Sequence, residues 1–271
     1  MSQEDRAARG RRGRGGRDAR RAGGAVVAKS APYIQRKIPC FEVLDEEGLQ
    51  TIEHNADTIL EEIGIEFRDM PEALDILKAG GAEIDGVRVR FPRGLCRSII
   101  QASAPAEYTQ HARNPERSVR IGGKNTVFVP AYGSPFVYDI EKGRRYATIE
   151  DFQNFVKLAY SSPGLHHSGG TICEPVDIPV NKRHLDMVYS HLRYSDKPIM
   201  GSVTAPERAE DSVELCRIAF GGDLQDRTVL TSLINASSPL RWDATMLGAA
   251  TVYARTNQAC IMSPFILAGA M

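Results

Sequence analysis

The sequence lacks the short motifs that mark the commonest phosphate, acyl-transfer and zinc sites. Neither GxGxxG ahead of a helix pattern nor GxxxxGK followed by Ser or Thr occurs, so both kinds of glycine-rich phosphate loop are missing. The GxSxG elbow of many acyl-transfer serines is also missing. The five cysteines are far apart and form no CxxC pair, which argues against a zinc site or a disulfide framework. We therefore expect no bound metal.

Long apolar runs are missing as well. None approaches the roughly 20 residues that a membrane-spanning helix needs. The apolar stretch at residues 25–28 is too short for the core of a secretory signal. Widely spaced cysteines fit a reducing compartment. The sequence therefore predicts a cytoplasmic protein with no membrane partner.

The chain has no excess of charge of either sign, because 34 basic residues balance 34 acidic ones. Residues 1–29 nevertheless hold nine basic and three acidic residues, a charge of +6, which leaves −6 on the remainder. Residues 1–32 have almost no large apolar side chains, and we predict a disordered Arg/Gly-rich tail there. The tail resembles RG-rich RNA-binding segments. Since the body is acidic and shows no RNA-binding fold, a solvated extension is favoured over a nucleic-acid partner.

Residues 33–120 show the pattern of a small α+β lobe. Asp45 is placed to cap a helix that ends at Gly64. Its apolar positions follow helical spacing and are Leu49, Ile52, Ala56, Ile59, Leu60 and Ile63. A strand at 65–67, a helix at 71–78, a strand ending at Phe91 and a helix at 94–102 are predicted to follow.

From residue 121 the pattern changes to alternating strands and amphipathic helices. The predicted strands are residues 127–131, 167–172, 198–203, 229–234 and 259–264. The last three begin at 198, 229 and 259, and these spacings of 31 and 30 residues match one βα unit. Either a doubly wound sheet or an eight-stranded barrel fits such repeats. A barrel needs about 250 residues, so residues 121–271 are expected to be the first five units of a longer barrel.

In both architectures, ligands bind at the carboxyl ends of the strands. Tyr132, Glu174, Asn235 and Trp242 each follow a predicted strand. Glu174 can balance a cationic substrate or act as a base, or it can cap the next loop. Tyr132 and Trp242 can hold a quaternary ammonium by cation–π attraction, or they can simply pack between elements. Asn235 can orient a polar ligand group or satisfy loop backbone.

Other polar residues are assigned structural roles. Asp243 is expected to be the N-cap of the helix that follows it rather than a catalytic acid. His166 and His167 are neighbours in a predicted strand and point to opposite faces, so they are poorly placed to chelate one metal. His184 and His191 lie on one predicted helix without a clear third ligand. Structural or surface positions are expected for all four histidines.

Three segments together resemble the trimethylamine:corrinoid methyltransferase family. They are Asn235–Asp243 (NASSPLRWD), Val129–Pro135 (VPAYGSP) and Gly169–Thr171 (GGT), and the similarity runs from about residue 40 onward. The resemblance implies a (β/α)8 TIM-type barrel of which about five βα units are present, preceded by the α+β lobe. Pyrrolysine, which archaeal members that use trimethylamine carry, would lie beyond Met271. Some bacterial relatives act on quaternary amines such as glycine betaine.

The resemblance also implies an activity. The enzyme would move a methyl group from a small methylated amine to a corrinoid held by a partner protein, with no cofactor bound directly and a homo-oligomer at full length. Glu174 would be the catalytic residue, and Tyr132, Asn235 and Trp242 would bind substrate. Two alternatives stay open: an inactive fragment or split-gene half, and a binding protein that uses the Arg-rich tail for RNA.

Overall fold

A computed structural model describes residues 34–237 and 240–264. The predicted disordered tail at 1–32 lies outside these described residues, as do residues 265–271 and two residues of the NASSPLRWD segment, Ser238 and Pro239. The strands are β1 (Ile34–Gln35), β2 (Ile65–Phe67), β3 (Glu83–Asp85), β4 (Arg88–Arg90), β5 (Glu107–Gln110), β6 (Val119–Gly122), β7 (Asn125–Thr126), β8 (Phe136–Asp139), β9 (Gly143–Tyr146), β10 (Ile199–Met200), β11 (Leu230–Ala236), β12 (Arg241–Trp242) and β13 (Ala259–Pro264). The helices are α1 (Glu46–Thr58), α2 (Pro71–Ala79), α3 (Leu95–Ser103), α4 (Ile149–Ser161), α5 (Val180–Tyr194), α6 (Pro206–Phe220) and α7 (Ala244–Arg255).

The first helix begins where its sequence predicts. The Asp45 side chain accepts a hydrogen bond from the Gly48 backbone N–H at 2.9 Å, which caps α1. The helix then continues as one π-helical turn, Ile59–Ile63, up to Gly64 at φ 72°. Its apolar positions are less buried than the pattern suggests, because α1 contains no buried residue among the described ones.

The lobe contains a four-stranded sheet in the order β12-β2-β4-β3. Strands β2, β3 and β4 are antiparallel neighbours from the lobe itself. The fourth strand, β12, comes from the far end of the chain and runs parallel to β2. Backbone N–H groups of Glu66 and Arg68 donate to the carbonyls of Leu240 and Trp242, both at 3.0 Å. The lobe therefore shares its sheet with the predicted barrel region, a pairing that the sequence pattern did not predict.

A parallel sheet in the order β10-β11-β13 forms the regular part of the second half. Strand β13 has the predicted bounds, and β11 begins one residue later than predicted and ends two later. Strand β10 is shorter than predicted and covers only Ile199–Met200. All its pairings with β11, and those of β11 with β13, are parallel. The alternation of strands and helices therefore produced the expected parallel neighbours.

The first two predicted strands of this half are wrong as regular strands. Residues 127–131 form no strand or bridge, and residues 167–172 pair only through one isolated parallel bridge, Gly169 with Ile199. A second isolated parallel bridge, Ser134 with Cys173, lies just beyond both ranges. Pro130 has no N–H to donate, and the backbone N–H of Phe128 donates to the His166 ring at 3.0 Å instead of to a strand. Side-chain bonding and bends replace the ladder, so periodicity alone predicted too much regular structure.

Helices α4 to α7 pack against one another in sequence around this sheet. Thr148 and Asp151 form the predicted capping box at the start of α4, and Asp243 caps α7 by accepting from the Met246 N–H at 2.9 Å. Fully buried side chains such as Leu230 and Ile234 of β11 make the core with these helices. No closed barrel is formed by the described residues, and the (β/α)8 architecture stays a prediction.

The β5–β6 hairpin covers the amino ends of the parallel strands. Gln110, at the end of β5, is completely buried there. Its amide nitrogen donates to the carbonyls of Ile199 and Val229, at 2.8 and 3.1 Å. Its amide oxygen accepts from the Thr231 hydroxyl at 2.8 Å and lies 3.2 Å from Nε2 of His167. One side chain thus joins the lobe to three of the parallel segments, opposite the end where ligands are expected.

Candidate active site

A cavity of about 240 Å³ lies at the carboxyl ends of the parallel segments. Tyr132 and Gly133 contribute to it from the first segment, and Gly170, Thr171 and Glu174 from the second. Met200 at the end of β10 and residues 201–204 after it also contribute, and the carboxyl-terminal half of β11 supplies Leu233 and Asn235. The remaining wall comes from α5 between Val180 and His191, from Arg208 of α6 and from Met246 of α7. The site therefore lies where parallel α/β folds place ligands.

Three of the four side chains singled out from the sequence come together in this cavity. Tyr132, Glu174 and Asn235 all line it. Trp242 is absent from its described lining and packs instead between the core under β11 and the core of the lobe. Its placement matches the packing alternative, because β12 pins the Trp242 backbone to β2. A substrate-binding role for Trp242 stays a prediction.

Glu174 does not enter the cavity as a lone charge. Its Oε1 accepts from Nη1 of Arg183 at 2.5 Å. Arg183 is also held by the carbonyl of Ile178, which accepts from its Nε and Nη2 at 3.2 and 3.1 Å. The Arg183 side chain is 14% exposed and that of Glu174 46%. The pair is therefore close to neutral as seen by a ligand, and Glu174 is oriented toward the cavity rim by a fixed arginine.

Asn235 presents an acceptor that the surrounding protein leaves unused. Its Oδ1 is buried, and no group within residues 34–237 and 240–264 donates to it. A buried unsatisfied amide oxygen costs about 1–3 kcal/mol. Such an atom beside a cavity is a natural contact for a positively polarised ligand group. Met200, Leu233 and Met246, which line the same cavity, are apolar.

Two histidines near the second parallel segment, His167 and His191, are buried. The His191 ring bridges the Ser168 hydroxyl and the Gly170 carbonyl, each at 2.7 Å. Burial lowers the pKa of His191 to about 4 and that of His167 to about 3. Both rings are therefore neutral near pH 7, so the Nε2–H of His191 donates to Gly170 and Ser168 donates to Nδ1. The expected structural role fits these two residues, and His191 also touches the cavity wall.

Tyr253 fixes the loop that follows β10. Its hydroxyl donates to the Ser202 carbonyl at 2.6 Å, and the Ser202 N–H donates to the Ser212 hydroxyl at 3.0 Å. Burial raises the pKa of the Tyr253 phenol far above its ordinary value, so it stays a donor at every physiological pH. Gly201 must stay without a side chain, because a Cβ there would overlap the Tyr253 hydroxyl. Helices α6 and α7 thereby set the position of one cavity wall.

The cavity floor is formed by a three-way contact around Gly170. A Cβ built on Gly170 would lie 2.8 Å from both Cβ of Met200 and Cε2 of Tyr132. Gly170→Ala is expected to push the Tyr132 ring or the Met200 side chain into the cavity, at a cost of about 1–3 kcal/mol. Ligand affinity should fall by roughly 5- to 150-fold. Isothermal titration calorimetry measures it, with Gly164→Ala as the control, because only the Ser162 hydroxyl lies within 4 Å of the Cβ position there, at 3.9 Å. Unchanged affinity in Gly170→Ala would show that the floor is not part of the binding site.

Some lining residues were missed from the sequence. Arg208 lies in the first turn of α6, several residues after the predicted strand. A prediction based on the residues directly after each strand therefore does not include it. His184 was placed correctly on a helix but was not assigned to the site. The β8–β9 hairpin between Tyr132 and α4 was not predicted either. An arginine one turn into a helix that starts at a strand end was the available signal for Arg208.

Metal binding finds no support in the described chain, where no group of three or more His, Cys, Asp or Glu side chains could hold an ion. No helix in residues 34–237 and 240–264 is long and apolar enough to cross a membrane.

Comparison with known proteins assigns the chain to a family. Its sequence matches the trimethylamine methyltransferase family (MTTB) over residues 10–271. It is 48% identical over 234 residues to the glycine betaine methyltransferase of Desulfitobacterium hafniense (strain Y51), which covers 86% of this chain and 48% of that protein. It is 28% identical over 201 residues to the proline betaine:corrinoid methyltransferase of Eubacterium limosum, covering 70% and 40%.

The chain thus spans about half the length of these two curated relatives. The predicted resemblance is confirmed, since the family match includes all three segments on which it was based. The chain belongs to the trimethylamine methyltransferase family.

Proposed function

We propose that this chain provides the donor-binding part of a methyltransferase that takes a methyl group from a quaternary methylammonium compound. The acceptor is a corrinoid carried by a separate protein. The observation that carries the proposal is the cavity at the strand ends, where an aromatic ring, an unused amide oxygen and apolar side chains meet. The family membership and the names of the two relatives support the reaction type.

The lining suits methyl groups on a positively charged nitrogen. Met200, Leu233 and Met246 are apolar and polarisable, so they can contact methyl groups without competing for hydrogen bonds. The Tyr132 ring attracts a quaternary ammonium through its face. The Oδ1 of Asn235, to which no described group donates, is attracted to the positive methyl surface of the same group.

The chemistry asks for positioning rather than for proton transfer. When a quaternary amine gives up a methyl group, the carbon–nitrogen bond breaks with its electron pair on nitrogen, and a neutral tertiary amine leaves. No proton has to move, so a general base is unnecessary. The corrinoid supplies the nucleophile, and this chain aligns the donor with it, which can lower the barrier by about 7–11 kcal/mol. In this proposal Glu174, neutralised by Arg183, positions groups at the rim.

The test measures products of methyl transfer. Purified protein, reduced cobalamin and glycine betaine should give dimethylglycine, followed by mass spectrometry, and methylcobalamin, followed by absorbance. Tyr132→Leu should lower kcat/KM by roughly tenfold, the loss of one cation–π contact of about 1–2 kcal/mol. Tyr138→Leu is the matched control, since Tyr138 lies on the nearby hairpin and is 80% exposed. If no methylated amine yields methylcobalamin, the proposal is wrong.

A further inference from the structure

The helices divide into two groups by how their amino ends are satisfied. Helices α1, α4 and α7 are capped by the side chains of Asp45, Thr148 and Asp243. Helices α2 and α3 of the lobe have no side-chain cap, and neither do α5 and α6, which begin after Pro179 and Ala205. Of these four uncapped helices, α5 and α6 begin at the cavity. The positive ends of two helix dipoles are therefore directed toward the site without a side-chain cap, and the first turn of α6 also carries Glu207.

A guanidinium adds to this positive end. Arg208, in the first turn of α6, lines the cavity and donates from Nη1 to the Thr204 hydroxyl at 2.8 Å. Within the described part of the chain it forms no ion pair with a carboxylate. Arg183, the other arginine of the lining, is neutralised by Glu174. Of the two arginines that line the cavity, Arg208 is therefore the one whose charge no described carboxylate neutralises, so it can attract a ligand.

A third polar group at this corner is a buried histidine between the two helices. His184 of α5 lines the cavity and is 7% exposed, and its Nε2 lies 2.7 Å from Oδ2 of Asp211 on α6. Its Nδ1 is buried, and no partner for it exists among the described residues. The His184–Asp211 contact also ties α5 to α6 beside Arg208. A ring atom that lacks a hydrogen-bond partner and a guanidinium that lacks a carboxylate partner among the described residues, in the lining of one cavity, indicate that a polar ligand group completes this corner.

We infer that Arg208 and the amino end of α6 bind the carboxylate of the methyl donor. The inference rests on the proposed function and narrows it: the donor is a quaternary ammonium compound that also carries an acid group, a betaine. Arg208 repels the ammonium end of such a molecule and attracts its carboxylate. The ammonium is therefore turned toward the Tyr132 ring and Asn235. Trimethylamine and choline lack the carboxylate and lose this orientation.

The experiment separates the two ends of the donor with three probes. Glycine betaine carries both ends. Its isostere tert-butylacetate carries the carboxylate but no positive charge, and choline carries the ammonium but no carboxylate. Calorimetry on the whole chain should give wild-type affinity in the order glycine betaine, tert-butylacetate and choline. Arg208→Gln should weaken the first two by roughly 10- to 100-fold, as expected for one charge-assisted hydrogen-bonded contact, and should leave choline unchanged or tighter.

Two further variants serve as controls for the effect of Arg208→Gln. Arg208→Lys keeps the charge and should retain part of the carboxylate affinity. Arg217→Gln removes a guanidinium that lies further along α6 and pairs with Glu214 at the surface, so all three affinities should stay as in the wild type. Unchanged choline binding in Arg208→Gln shows that the variant is folded.

Several results would overturn the inference. They are equal wild-type affinity for choline and glycine betaine, a uniform loss for all probes in Arg208→Gln, and binding of none of them. Methyl transfer from choline that is as fast as from glycine betaine and insensitive to Arg208→Gln would also overturn it while leaving the proposed methyltransferase intact. Carboxylate binding that depends on Arg208, without any methyl transfer, would reject the reaction and keep the anion site.

Discussion

Gln110→Leu is expected to lower the free energy of unfolding by about 4 kcal/mol, because four buried polar partners lose their bonds and each unsatisfied group costs about 1–3 kcal/mol. These partners are two strand carbonyls, the Thr231 hydroxyl and the His167 ring. Leucine fills a similar volume, so packing alone predicts a small effect. A domain has only about 5–15 kcal/mol of net stability, so the loss would leave a large fraction of the protein unfolded under mild denaturant.

The measurement is urea unfolding followed by tryptophan fluorescence. Trp242 is the single tryptophan and lies between the two hydrophobic cores, so its emission reports on the unfolding of both. Thr109→Val is the matched control, because Thr109 is exposed on the same strand as Gln110. A loss below about 1 kcal/mol, the usual worth of one hydrogen bond, would show that Gln110 does not join the lobe to the parallel strands in solution.

Acidification from about pH 7 to about pH 4 is expected to lower the free energy of unfolding by about 3 kcal/mol or more, since each pKa unit is worth about 1.4 kcal/mol. Burial depresses the pKa values of His167 and His191 in the folded protein to about 3 and about 4, from an ordinary value of 6.5. The unfolded chain therefore takes up protons first. Stability is complete above pH 6.5 and falls as the pH drops toward the folded values.

Carboxylates contribute to the pH dependence of stability at lower pH than the histidines. Ion pairing with Arg145 holds the pKa of Asp151 well below its ordinary 3.8, so the stability it provides is lost only below about pH 4. His191→Gln should therefore flatten the stability profile between pH 6.5 and 4, while His54→Gln, at an exposed position of α1, should not. Identical slopes in wild type and His191→Gln would contradict the assignment. Nuclear magnetic resonance titration of the ring protons gives the pKa values directly.

Helices and their starts could be predicted because their determinants are local. Asp45, Thr148 and Asp243 each act on a backbone N–H three residues away. The spacing of apolar residues then set the helical phase, and the 30-residue repeat set the order of the parallel strands. Such signals lie within one βα unit, so they can be recognised in the sequence before the rest of the fold is known.

Features that depend on distant contacts could not be predicted in the same way. Gln110 reads as one polar residue at the end of a short strand, yet its partners lie 57 to 121 residues away. The segment around Phe128 looks like a strand, but a histidine side chain takes the place of a strand neighbour. Trp242 was considered for the site because it follows a strand, whereas its position is set by the lobe.

The candidate site lay between these extremes. Its location followed from the rule that ligands meet the carboxyl ends of parallel strands, and this rule brought Tyr132, Glu174 and Asn235 together. Their electrostatic states did not follow, because the neutralisation of Glu174 depends on Arg183 of the next helix. The net charge at a site depends on which residues form ion pairs, and the positions at the strand ends do not reveal those partners.

The pairing of β12 with β2 has a consequence for the order in which the chain can fold during synthesis. Strands β2, β3 and β4 leave the ribosome early, but their neighbour β12 follows about 175 residues after β2. At about 5–20 residues per second, the lobe waits roughly 10–35 seconds with one strand edge open. During that interval the growing chain presents a hydrogen-bonding strand edge that its own later residues will occupy.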